Sequence, residues 1–252
     1  MVNLGSVWDR TTGFLKTDYA NVLPIAAGGI FVPLAALGIL LTSMSGQDTP
    51  GDWMMGLGAL ALALVTVGGN LAVTALAIDP AAGAGGAIRT TAARLPVALA
   101  VAALGFVALF GPLVLLAWAF LNTMRDDNGA AATAVVGYCL LVCPLALLIA
   151  ARLLLFTPAL VAERAGFGAL LRSLRLTQGM TWKLVGLLLL YLIVTQVAAM
   201  LVRAVIVPLG ITALATILVA LVQTGFSVFA TAFTARLFLA VRDMREMIVE
   251  LS

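Results

Sequence analysis

The sequence predicts an all-α integral membrane protein with six transmembrane helices and amphipathic helices on its cytoplasmic side. Three observations carry this. First, the 252 residues are 63% hydrophobic and only 10% charged, with a mean hydropathy of +1.16. A soluble domain has about 25% charged residues and roughly 45–50% apolar ones, so this chain has too few charges to cover a water-facing surface. Second, the apolar residues fall into six runs, each near or above the roughly 20 residues a helix needs to cross the hydrocarbon. Third, Lys and Arg collect on alternate connections between those runs. A soluble enzyme, a nucleic-acid-binding domain and a disordered tail are excluded. The length leaves no room for a separate soluble domain, so residues 1–252 read as a single membrane domain.

The elements follow in order. Residues 1–20 mix Val7, Trp8, Phe14 and Leu15 with Asp9, Arg10, Lys16 and Asp18. A cleavable signal would open with a basic stretch and a short apolar core; this pattern predicts an amphipathic helix lying on the membrane. The six apolar runs cover 22–41, 54–78, 95–121, 131–156, 184–209 and 211–241. The last two are separated only by Pro208, Leu209 and Gly210, residues that suit a tight hairpin turn. Pro33, Pro112 and Pro144 fall inside spans, where proline usually means a kink.

The connections orient the bundle. One set carries Arg10 and Lys16, Arg89 and Arg94, then Arg164, Arg172, Arg175 and Lys183, and finally Arg242 and Arg245. The other carries Asp48 and Asp52, Arg125 beside Asp126 and Asp127, and the turn at Gly210. Cytoplasmic loops accumulate Lys and Arg, so both termini are expected in the cytoplasm. Alanine is abundant and only Lys16 and Lys183 are lysine; this composition suggests a GC-rich bacterial genome and hence a bacterial cytoplasmic (inner) membrane.

A repeat is visible in the cytoplasmic connections. Asp79 leads by ten residues to Arg89-Thr90, after Ala87-Ile88; Glu163 leads by nine to Arg172-Ser173, after Leu170-Leu171. Ala151-Arg152-Leu153 and Ala235-Arg236-Leu237 echo each other at span exits. We expect three hairpin units with parallel topology, over 1–79, 80–156 and 157–252.

Candidate functional groups are few. The chain has no histidine, and no nucleophile elbow, phosphate loop, metalloprotease helix or carboxylate cluster. We therefore expect no enzymatic activity, no cofactor and no metal. Cys139 and Cys143 share a helix face and read as small packing residues. Polar residues inside spans are the place to look: Asn70, Thr195, Gln196, Gln223, Ser227, Thr231 and Thr234. Those from 223 to 234 step by four, four and three, so they share one face of the last helix. With Asn70 and Gln196 they form a polar seam. It either lines a solute path or supplies hydrogen bonds between helices, at about 0.6–2 kcal/mol each; the second reading comes first. Arg203 is placed to snorkel to the headgroups. Gly29, Gly56, Ala63 and Gly68 are expected to contact protein or ordered lipid. Between 157 and 183, Arg164, Arg172, Arg175 and Lys183 flank Leu170, Leu171 and Leu174. That is a surface helix whose cations suit anionic lipid headgroups at about 1 kcal/mol each.

The stretch from Arg152 through Pro158 to Glu163, then Leu171-Arg172-Ser173, Thr177, Gly179 and Trp182-Lys183, resembles the membrane domain of the glycerophosphoryl diester phosphodiesterase membrane-domain family and related six-span bacterial inner-membrane proteins. The likeness is best over 150–190 and fainter over 76–95. Leu171 stands where that pattern has the first Arg of a doublet. The resemblance implies the fold and the location. The hydrolase domain that some members carry has no counterpart in these residues, so no phosphodiesterase activity is expected. The functional expectation is a non-enzymatic inner-membrane protein that interacts with and organises lipids, or an embedded accessory subunit. Its partners would be membrane phospholipids, other membrane proteins or further copies of itself, and no nucleic acid. The rival is a small-solute transporter or channel with the seam lining its path.

Overall fold

The computed structural model describes residues 4–44, 53–123, 156–163 and 181–250, with 137, 144, 147–149 and 151 between them. The described residues are almost entirely helical. Helix α1 (Leu4–Thr17) is followed by α2 (Tyr19–Ala26), a π-helical turn (Ala27–Phe31) and α3 (Val32–Met44). Then come α4 (Trp53–Ile78), a short 3₁₀ turn (Pro80–Ala82), α5 (Gly83–Thr123) and α6 (Phe156–Glu163). Helix α7 (Thr181–Ile206) leads through a 3₁₀ turn (Val207–Leu209) into α8 (Thr212–Glu250). Four helical stretches are long and apolar enough to cross a membrane: Tyr19–Thr42, Gly56–Ile78, Leu184–Leu209 and Thr212–Met244. They match four of the six apolar runs to within three residues at each end. The run over 95–121 lies inside α5, and most of 131–156 lies outside the described residues.

The local chemistry explains the boundaries. Asp18 leaves the helical conformation and turns the chain from α1 into α2, its carbonyl accepting from the Asn21 and Val22 amides at 3.0 and 3.1 Å. The π turn ends two residues before Pro33. In an α-helix the residue-33 amide would donate to the Gly29 carbonyl, and proline has no N–H to give. The helix absorbs the loss by widening, with the Val32 amide reaching five residues back to Ala27. The hairpin expected at 208–210 is present. Pro208 sits in the 3₁₀ turn, and Gly210 takes φ 75°, a left-handed conformation that favours glycine. Helix α5 differs from expectation. The connection carrying Arg89 and Arg94 is not separate from the run over 95–121: one helix runs unbroken for 41 residues through Pro96.

Helix α4 is the hub, touching α2, α3, α5, α6 and α8, and α8 in turn packs on α1, α3, α6 and α7. The first span and α4 cross where both are glycine. A Cβ on Gly69 would collide with the Gly29 carbonyl, and one on Gly29 would stand 2.8 Å from Gly69 Cα. The Gly69 hydrogen in that position therefore points at the carbonyl Pro33 leaves without its α-helical donor, in a Cα–H···O arrangement. The core gathers at one end of the bundle. Leu71 to Ala77 are all buried, with Val22, Ile25 and Ile30, Leu160, and Phe233, Leu237 and Phe238 around them. Helix α7 contributes little to this core and keeps most of its apolar surface exposed.

The N-terminal helix is also more than a surface float. Val7, Thr11 and Phe14, at steps of four and three, are all buried, and α1 packs on α8. The Arg236 guanidinium of α8 lies 5.0 Å over the Phe14 ring, a cation–π contact. The apolar stripe expected to face lipid is thus largely taken up by protein.

Candidate functional site

Three side chains from two spans meet in the bundle wall. Asn70 lies on α4, and Ser227 and Thr231 are one turn apart on α8. Ser227 Oγ donates to Asn70 Oδ1 at 2.8 Å, and Thr231 Oγ1 donates to the same oxygen at 3.2 Å. Asn70 Nδ2 donates to the Thr66 carbonyl at 3.1 Å. That carbonyl can only accept, which fixes the orientation of the amide and obliges both hydroxyls to donate. The neighbouring hydroxyls are occupied along their own helices: Thr74 donates to the Asn70 carbonyl at 2.9 Å and Thr234 to the Thr231 carbonyl at 2.9 Å.

A cavity of about 400 Å³ opens over this trio, within the roughly 300–1,000 Å³ typical of ligand pockets. Leu187, Tyr191 and Val194 of α7 form one wall, and Phe226, Phe229 and Phe233 of α8 another. Trp8 reaches in from α1, its ring 4.6 Å from that of Phe229 and tilted by 56°. Among the described residues that line it, none is charged. The arrangement is an apolar recess with a small, neutral, hydrogen-bonding floor. Among the described residues, what the floor offers is hydrogen bonding at the end of an apolar recess.

The structure brings together part of the expected seam. Asn70, Ser227 and Thr231 meet; Gln223 is half-buried one turn before Ser227 and outside the cavity lining, and Gln196 is exposed on α7. Arg203 is exposed near the end of α7. Arg164, Arg172 and Arg175 lie outside the described residues, as do Cys139 and Cys143; Lys183 is in the first turn of α7. Of the small residues, Gly29 makes the crossing with Gly69, whereas a Cβ on Gly56 would meet nothing within 4 Å. The aromatic lining was missed in the sequence. Phe226, Phe229 and Phe233 follow helical spacing beside the seam and could have been found by it. Trp8 could not, since its place depends on α1 docking.

A second recess, about 510 Å³, lies between the first span, α4 and α5, lined by Gly28, Gly29, Gly68 and Gly69 with Ile88 and Leu95. It is apolar apart from Thr91, whose buried hydroxyl has no hydrogen-bond partner among the described residues. Among the described residues, no cluster of His, Cys, Asp or Glu could hold a metal ion. No family model, curated protein or solved structure matches the chain.

Proposed function

We propose that this is a non-enzymatic, six-span protein of a bacterial cytoplasmic membrane, with both termini in the cytoplasm, that binds lipids and organises them, alone or as an embedded subunit. The observation carrying the reading is the uncharged, largely apolar cavity between α7 and α8, beside an α7 whose side chains are mostly exposed. A recess of that kind, open in a helix that faces hydrocarbon, suits a lipid. A continuous polar path for a solute has less support: the protons of Ser227 and Thr231 are committed to Asn70, and Gln196 faces away. The basic surface helix with Arg164, Arg172, Arg175 and Lys183 would hold anionic headgroups at the cytoplasmic face.

Native mass spectrometry of the full chain after gentle extraction tests this. Bound lipid that survives activation is the expected result, and Arg172→Ala with Arg175→Ala should lower the anionic share. A chain that keeps no lipid, but passes a small solute across liposomes with flux lost in Thr231→Val, would overturn lipid binding in favour of transport.

A further inference from the structure

We infer that the cavity over Asn70, Ser227 and Thr231 is a site for a neutral lipid carrying a free hydroxyl, of the diacylglycerol type, bound with the hydroxyl inward. This rests on the lipid-binding reading above and names the class of lipid. The argument is one of protons. Because Asn70 Nδ2 faces the Thr66 carbonyl, both hydroxyl protons go to Asn70 Oδ1. Ser227 and Thr231 are left with lone pairs, and Asn70 with one further N–H. The floor therefore offers two acceptors and one donor. A hydroxyl, which both donates and accepts, answers that pattern. A capped ester or an ether brings only acceptors and would set lone pairs against the two hydroxyl oxygens.

Charge and depth point the same way. Among the described lining residues, none is charged, so a phosphate or carboxylate would enter without a counter-ion. Asn70 lies three residues past the midpoint of the span Gly56–Ile78 and about 12 Å along the helix from Ile78, at 1.5 Å per residue. A neutral head can reach that depth in hydrocarbon, whereas a charged one strongly resists it. The Trp8 indole N–H, which also lines the cavity, suits an ester carbonyl next to such a hydroxyl. The acyl chain has an exit: Leu190 and Val194 line the cavity, and with Val197 and Leu201 they step by four, three and four along α7, all exposed.

The test is competition on the full chain in a mild detergent, read by native mass spectrometry. The probes are dioleoylglycerol, the same molecule with its hydroxyl acetylated, and dioleoylphosphatidylglycerol. Dioleoylglycerol should be retained about tenfold over the acetylated form, the factor one hydrogen bond is worth. Ser227→Ala should bring the two towards parity. Leu190→Trp, which fills the recess at an exposed position and leaves the polar trio alone, should abolish dioleoylglycerol retention. Equal retention of the first two probes, a preference for the phospholipid, or undiminished dioleoylglycerol binding in Leu190→Trp would overturn this site while leaving lipid binding in place. Retention of none of the three would overturn both.

Discussion

Asn70 is held at both ends of its amide, so its removal strands several partners at once. Asn70→Leu leaves the Ser227 and Thr231 hydroxyls without their acceptor and the Thr66 carbonyl without this donor. Contacts of this kind in membranes average about 0.6 kcal/mol and reach about 1.7. We therefore expect a loss of about 1–3 kcal/mol in reversible unfolding from detergent. Gln196→Leu is the matched control and should change stability by less than about 0.5 kcal/mol, because Gln196 is exposed. The pair also shows how far the site was legible. The spacing of Gln223, Ser227, Thr231 and Thr234 places them on one face through helical periodicity alone. Which polar residue of another span meets that face depends on how helices cross, and Asn70 and Gln196 are indistinguishable in that respect until they are packed.

Where helices cross, side-chain size decides. Gly69→Ala drives a methyl group into the Gly29 backbone, which cannot move aside as a flexible side chain would, and should cost about 1–3 kcal/mol. Gly58→Ala, with open space around its Cβ, should be neutral or stabilise by up to about 1 kcal/mol through helix propensity. Thermal unfolding of the two variants separates crossing from propensity. Helix α1 makes a different prediction. Phe14 is buried against α8, so Phe14→Ala should cost about 3–5 kcal/mol and raise amide exchange across residues 4–17. Rapid exchange of that helix in the unaltered protein would show that it does not stay docked. The amphipathic pattern of α1 was plain in the sequence, but a stripe looks the same whether lipid or protein covers it. Only the last helix, packed alongside, distinguishes the two.

At the scale of the molecule, hydropathy was the most legible property because run length belongs to one dimension. Four runs reappear as membrane-length helices with nearly the same ends, and the break at Gly210 separates α7 from α8 as its composition implies. The position of the core was not legible: apart from the polar face of the last span, the runs are apolar all round, so little in the pattern says which faces find protein. The proposed orientation can be tested by fusions after Ser252. A fluorescent-protein fusion should glow and an alkaline phosphatase fusion should be inactive, since the first matures in the cytoplasm and the second outside it. The reverse pair would place the C-terminus on the far side of the membrane.

Leu71 to Ala77 are enclosed on every side, seven successive residues without an outward-facing stripe. This affects how the chain can drift. Along α7, substitutions should be tolerated broadly, since most positions answer only to hydrophobicity. In a saturation-mutagenesis map of an ordinary surface helix, tolerance rises and falls every 3.6 residues. Across these seven positions the ripple should vanish into a flat floor, with Ala72, Ala75 and Ala77 refusing larger side chains and Leu71, Val73 and Leu76 refusing smaller ones. Related chains can then diverge freely along α7 and still share this short segment, which is where a search for distant kin should begin.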